Sequence, residues 1–156
     1  MSDNILQQAI HASLIKRLAA ILYDLFLVIS LFFIVGIIIA SLTTFIINNG
    51  QAITKDHPFY LIYQIYLLSI LLICGFLFFG WFWTHGGQTL GMKTWKLKLV
   101  SDDGKNITWK QAAIRFFSAI VSWGLGGMGF ISALWDKDNK TWHDHLSKTQ
   151  LVQLTD

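Results

Sequence analysis

An apolar run covers residues 18–47, and Asp24 is its only charged residue. About 20 apolar residues are enough to cross the hydrocarbon core of a bilayer. The run is therefore long enough to form a transmembrane helix, and it places a carboxyl group inside the membrane. An ionisable group at that depth is costly, and it ordinarily has a partner and a function. The sequence thus predicts a membrane protein whose function involves Asp24.

The composition agrees with a membrane protein. Hydrophobic residues make up 54% of the chain and charged residues 13%, whereas about a quarter of an average soluble protein is charged. The 156 residues predict a single domain over 1–156, without a separate soluble enzyme domain. The net charge is +3, but the basic residues lie beside the apolar runs. Anionic lipid headgroups therefore match them better than nucleic acid does.

Two further apolar segments follow the first. Residues 59–83 form a second predicted span, with tyrosines near its start and tryptophans at its end, as is typical of the two membrane interfaces. A third segment covers about residues 115–135, and four glycines interrupt it between Gly124 and Gly129. Each glycine costs about 1 kcal/mol of helix propensity. The third segment is therefore either one weak span or two short helices joined by a turn.

The distribution of basic residues predicts the orientation. Lys16 and Arg17 precede the first span, six basic residues lie between residue 84 and Arg115, and only Lys55 lies between the spans. The positive-inside rule then places the N-terminus and residues 84–113 in the cytoplasm.

Two strand-like segments and a capping motif complete the predicted fold. Residues 95–100 alternate between apolar and polar, and residues 149–154 are also strand-like, so the two are expected to pair. Thr108 and Gln111 match a capping box and predict a helix running toward Trp123. Pairing returns the C-terminus to the cytoplasm, so the glycines are expected to turn a hairpin. The predicted fold class is an all-α membrane protein of two full transmembrane helices, a glycine-broken third hairpin or span, and a small cytoplasmic β-pair.

The order of several short motifs resembles the RDD family of small membrane proteins. These motifs are Arg17 with Asp24, the segment GQTLGMK at 87–93, the strand end with its DDG turn at 99–104, Arg115, and the ending HDHLSKT at 143–149. The family takes its name from one Arg and two Asp, which by position are Arg17, Asp24 and Asp144. The resemblance implies a bacterial inner-membrane protein, and cation/proton antiport has been proposed for some relatives.

Asp24 has two open interpretations. Arg17 lies two turns before it on the same helix face, too far for a direct bond, and is expected to extend to the interface. Asp24 is then either a proton- or cation-exchanging carboxylate in an aqueous vestibule, or a structural anchor bonded to another element. Arg115, at the start of the third segment, is the best candidate partner. Asp144 is expected to cap or tether the C-terminal tail, with the GQTLG backbone as a candidate donor.

Other polar residues are weaker candidates for a pathway. Gln64 and Ser69 in the second span either line a path or make helix contacts. Gly126 and Gly127 either expose carbonyls to an ion or only form a tight turn. Lys93, Lys96 and Lys98 are expected to contact lipid headgroups.

The sequence contains no recognisable catalytic or cofactor machinery. It has no Walker sequence, no GxGxxG and no nucleophile–base arrangement, so we expect neither an enzyme nor a cofactor. His143, Asp144 and His145 would point two imidazoles the same way if they lay on a strand. A metal site needs further ligands, and no metal is expected.

These observations favour two functions. In the first, the protein is a small-cation/proton transporter in which Asp24 titrates, Arg17 and Arg115 tune it, and Asp144 is a further residue of the ion or proton pathway. A protomer with two spans can hardly enclose a path, so this function requires a homo-oligomer. The alternative is a non-transporting assembly or scaffold protein, in which the buried charges specify packing.

Overall fold

The computed structural model describes residues 10–137 and 139–154. The helices are α1 (Leu14–Leu42), α2 (Tyr60–His85), α3 (Leu90–Thr94), α4 (Trp109–Gly124), α5 (Met128–Ile131) and α6 (Trp142–Ser147). The strands are β1 (Ile10–His11), β2 (Leu97–Ser101) and β3 (Thr149–Gln153). The predicted cytoplasmic location of the two chain ends concerns residues 1–9, 155 and 156, which lie outside the described residues.

Helices α1 and α2 are long and apolar enough to cross a membrane, which confirms the two predicted spans. The first candidate span is Leu14–Ile46, because α1 continues into a π-helical turn at Thr43–Ile47, and the second is Tyr60–His85. A helix suits such apolar sequences because it satisfies its own backbone groups where no water is present.

The third apolar segment is broken at the glycines. Helix α4 begins with the predicted capping box, in which Thr108 and Gln111 bond each other's backbone, and ends at Gly124. Helix α5 and a short 3₁₀ turn (Ser132–Leu134) follow. The axis turns by 108° between Trp109–Gly124 and Met128–Leu134. The segment is thus either a broken span or a re-entrant loop.

The predicted β-pair is present. Strands β2 and β3 are antiparallel, with Leu97 opposite Gln153 and Ser101 opposite Thr149. Strand β1 pairs with the other edge of β3 and makes a three-stranded sheet of order β1-β3-β2. This two-residue strand was not predicted from the sequence, because a segment so short shows no alternation.

The chain divides into two compact units. Within the described residues, one unit comprises the chain up to Asp24 and the chain from Phe78 onward, and the other is Leu25–Leu77. The first unit contains the sheet, α3 to α6 and a buried apolar core. The members of that core are Ala12, Ala20, Trp83, Met92, Leu97, Leu99, Ile107, Ala112 and Leu151. The second unit consists of the remaining parts of α1 and α2 and their connection.

Candidate functional site

Asp24 is buried, with 3% of its surface exposed, and both of its carboxylate oxygens accept hydrogen bonds. The Thr89 hydroxyl donates to Oδ2 at 2.5 Å, and the Gly91 backbone N–H donates to Oδ1 at 2.9 Å. Both donors come from the GQTLG segment, 65 or more residues further along the chain. The carboxylate therefore joins α1 to the start of α3 through neutral donors.

The local geometry of α3 explains why these two residues supply the donors. Thr89 is the N-cap of α3, and its Oγ1 accepts from the Met92 N–H at 3.2 Å. Its own hydroxyl hydrogen is thus left for Asp24. Gly91 lies so close to α1 that a Cβ atom there would collide with the Ala20 carbonyl oxygen and the Asp24 carboxyl. A threonine and a glycine at these positions allow the close approach.

The expected partnership between Asp24 and Arg115 is wrong. The ion pairs found among residues 10–137 and 139–154 do not include Asp24. Arg115 instead lies on the face of α4 that packs against α6, and it pairs with Asp144. The expected contact between Asp144 and the GQTLG backbone is also wrong, since Asp24 accepts from that segment.

Asp144 is fully buried between two arginines. Arg17 Nη1 donates to Oδ2 at 2.9 Å, and Arg115 Nη1 donates to Oδ1. The Thr141 N–H adds a bond to Oδ2 at 2.8 Å, which makes Asp144 the third helical residue of a capping box. The expectation that Asp144 caps the tail is thus confirmed. The residues Arg17, Arg115 and Asp144, here called the RDR cluster, link α1, α4 and α6.

Further contacts fix the two arginines of the RDR cluster. Arg17 Nε donates to the Ala12 carbonyl at 3.1 Å, and only 5% of Arg17 is exposed. Its expected extension to the membrane interface is therefore wrong, because a buried carboxylate is within its reach. Arg115 donates to Thr149 Oγ1 at 2.9 Å and lies 5.6 Å from the centre of the Trp83 ring. These contacts hold both guanidinium groups inside the fold.

The electrostatics of α6 follow from this cluster. Burial alone would raise the pKa of Asp144, but the positive charges of Arg115 and Arg17 outweigh it, so the pKa lies well below its usual range. Burial, together with the positive charge of Arg115, lowers the pKa of the neighbouring His143 to about 3. At neutral pH Asp144 is ionised and His143 is neutral. Such a locked acid holds structure but does not exchange a proton near pH 7.

The His143–Asp144–His145 segment is helical rather than extended. It lies in α6, where His145 Nε2 is 2.7 Å from Asp136 Oδ2. The alternation that would have pointed two imidazoles the same way is therefore absent. No group of three or more potential metal ligands occurs among the described residues.

The candidate path residues Gln64 and Ser69 make bonds within their own helix. Gln64 Nε2 donates to the Tyr60 hydroxyl at 2.7 Å, and Ser69 Oγ donates to the Ile65 carbonyl at 2.7 Å. Both side chains of α2 are thus satisfied locally. A path along them stays a prediction.

Gly126 and Gly127 form the turn after α4. Their φ angles are +69° and +80°, which L side chains rarely adopt. Their amides donate to the Trp123 and Ser122 carbonyls at 3.0 and 2.8 Å. These bonds are those of a tight turn, and an ion-binding role for its carbonyls stays a prediction.

The three lysines lie around α3 and β2. Lys93 and Lys96 are exposed, and Lys98 is half-buried. Their exposure leaves lipid headgroup contact as a prediction for this part of the chain.

Sequence reasoning did not single out Thr89 and Gly91. Both stand in the GQTLG motif, so the signal was a threonine at a helix start followed two residues later by glycine. Asp24, the residue to which Thr89 and Gly91 donate, lies 65 or more residues away in the sequence. No local pattern could reveal that it reaches this turn.

One comparison with known proteins is informative. The family model described as the RDD family matches residues 11–148. No curated protein and no solved structure matches the chain. The matched range includes Arg17, Asp24, the GQTLG segment, Arg115 and Asp144. The chain therefore belongs to the RDD family.

Proposed function

We propose that this RDD family membrane protein is a small-cation/proton transporter that works as a homo-oligomer, with Asp24 as the group that binds and releases a proton. It is not an enzyme in this proposal. It resides in the bacterial inner membrane with both chain ends in the cytoplasm. Lys93, Lys96 and Lys98 contact anionic lipid headgroups.

One observation carries the proposal: the only acid in the candidate spans has neutral hydrogen-bond partners. Asp24 is the sole Asp or Glu in Leu14–Ile46, Tyr60–His85 and Trp109–Leu134. Its described partners are a hydroxyl and a backbone amide, not a cation. A carboxylate without a fixed countercharge can gain a proton without leaving a buried cation unpaired.

The RDR cluster has a different task in this proposal. Asp144 is held between Arg17 and Arg115, so its charge is compensated and fixed. Arg17 is two turns from Asp24 on α1. The cluster therefore positions the cytoplasmic end of α1, and Arg17 and Arg115 add a positive field around the exchanging acid.

The need for an oligomer follows from the size of the protomer. Only 11% of each apolar span window is buried within the chain. Most of both helices thus faces outward, where lipid or another copy of the chain can cover it. Several copies together can enclose a route that two helices cannot.

The second candidate is a non-transporting assembly or scaffold protein, and the same hydrogen bonds favour it. Both oxygens of Asp24 are satisfied, and they fasten α1 to the turn before α3. In that case Asp24 is an anchor, and its removal weakens the fold without removing any flux.

The deciding experiment is cation flux in proteoliposomes under an imposed proton gradient, scanning Na⁺, K⁺ and Li⁺. Transport predicts flux in the native protein and its loss in Asp24→Asn, with that variant still folded. Asn keeps an oxygen for the Gly91 N–H and can donate to Thr89 Oγ1, so the shape of the site is preserved.

Asp103→Asn is the matched control, because it makes the same chemical change at an exposed turn acid. It is expected to leave flux unchanged. Absence of flux for all three cations in intact, oriented native protein would favour the scaffold function.

A further inference from the structure

We infer that the ion exchanged at Asp24 is a bare proton, and that Thr89 and Gly91 make the site specific for it. This inference rests on the proposed function and defines one part of it. Any metal cation that the protein moves would then bind elsewhere.

The space beside Asp24 is closed by the α3 turn. Thr89 Oγ1 is 2.5 Å from one carboxylate oxygen, and the Gly91 nitrogen is 2.9 Å from the other. The position of a Cβ on Gly91 already overlaps the Ala20 carbonyl oxygen. The side of the Asp24 carboxyl that faces Gly91 therefore has no room for a metal ion and its ligands, whereas a proton needs no added volume.

The hydrogen-bond donors and acceptors around Asp24 allow both its ionised and its protonated form. With Asp24 ionised, its oxygens accept from the Thr89 hydroxyl and the Gly91 N–H, and Thr89 Oγ1 accepts from the Met92 N–H. A proton on Oδ2 can form an O–H bond that points at Thr89 Oγ1. That oxygen has a second lone pair to accept it, but its own hydrogen must then turn away.

Thr89 is therefore a positioning residue with two roles. Its hydroxyl donates to the ionised acid and accepts from the protonated acid, so the turn stays docked in both states.

The charged groups around the site are few. Arg17 lies two turns away on α1 and is held by Asp144. Lys93 lies two residues beyond Gly91 on α3 and is exposed. Neither forms an ion pair with Asp24 in the described chain, so the described polar contacts of its carboxyl are hydrogen bonds.

The test is an infrared pH titration of the full chain in lipid bilayers, following the C=O stretch of protonated carboxyl groups. Subtracting the spectra of Asp24→Asn isolates Asp24. We expect a protonated band whose midpoint is the same in choline, Na⁺, K⁺ and Li⁺ salts. A midpoint that falls when a metal cation replaces choline overturns the inference, because the cation then competes for the carboxylate. Absence of the band at every pH overturns it too.

Two variants test the role of Thr89. Thr89→Val removes the donor to the ionised acid and should move the midpoint upward by about one pH unit. Thr89→Ser keeps the hydroxyl and should leave the midpoint unchanged. Equal midpoints in all three proteins would overturn the role of Thr89, and the cation series remains decisive if Thr89→Val does not fold. If the native protein shows no cation flux but Asp24 still titrates with the same midpoint in every salt, the transport function is contradicted. The proton specificity of Asp24 is not contradicted by that result.

Discussion

Asp144 accepts hydrogen bonds from two guanidinium groups, whereas Asp24 accepts them from a hydroxyl and a backbone amide. This contrast assigns different tasks to two buried acids of the same chain. A carboxylate between two cations keeps its charge and fixes its neighbours. A carboxylate with neutral partners can change its charge at a smaller cost.

Asp144→Asn is expected to destabilise the protein strongly. The change removes the carboxylate with which both Arg17 and Arg115 pair, and leaves two buried guanidinium groups facing each other. Breaking a buried ion pair on one side costs about 3–5 kcal/mol. Thermal unfolding in lipid or mild detergent measures it, with Asp103→Asn as the exposed control. Equal unfolding temperatures for the two variants would contradict the structural role of the RDR cluster.

The stability of the protein should fall as the pH drops below about 6.5, because of His143. Its pKa is about 3 in the folded chain and 6.5 without the fold. Between these values the unfolded chain binds a proton that the folded chain does not. The free energy of unfolding therefore decreases by up to about 1.4 kcal/mol per pH unit on acidification. Asp144, whose folded pKa is lowered, adds a further loss only at more acidic pH.

His143→Phe tests this assignment. The His143 ring nitrogen Nδ1 has no hydrogen-bond partner within the described chain. The ring packs edge-on against Phe130, with 4.7 Å between the two ring centres. Phe keeps an aromatic ring and does not titrate. Unfolding temperatures measured between pH 4 and 7 should vary less in the variant. An unchanged pH slope would assign the dependence to another group.

At the scale of elements, the close approach of α1 and α3 depends on Gly91. A Cβ there meets the Ala20 carbonyl oxygen and the Asp24 carboxyl, so Gly91→Ala forces the two helices apart. We expect a loss of about 1–3 kcal/mol, as in other overpacked contacts. Gly124→Ala is the control, since no atom of the described chain lies within 4 Å of a Cβ there. Equal unfolding temperatures for Gly91→Ala and Gly124→Ala would contradict the close packing.

The elements that depend on local chemistry could be predicted from the sequence. The capping box of Thr108 and Gln111, the two apolar spans and the paired strands all follow from neighbouring residues or from simple periodicity. The partners of Asp24 and Arg17 could not be predicted, because they lie 65 and 127 residues away. Several polar groups could satisfy each charge, and only the packing of α3, α4 and α6 decides among them.

At the scale of the whole molecule, the proposed topology places the α2–β2 side of the chain in the cytoplasm. Single cysteines at Lys105 and Lys55, in a Cys74→Ala background, report the two sides. A membrane-impermeant thiol reagent added to intact cells should label Lys55→Cys and leave Lys105→Cys unlabelled until the cells are opened. Labelling of Lys105→Cys from outside would contradict the orientation.

In the proposed function, Asp24 works by changing its charge while the rest of its site stays intact. The most direct measurement is proton flux per folded protein in proteoliposomes, comparing the native chain with Asp24→Asn. We predict that Asp24→Asn unfolds at nearly the native temperature and transports no protons. Native-like flux from Asp24→Asn would contradict the claim, as would a variant whose flux falls only in proportion to its folded fraction.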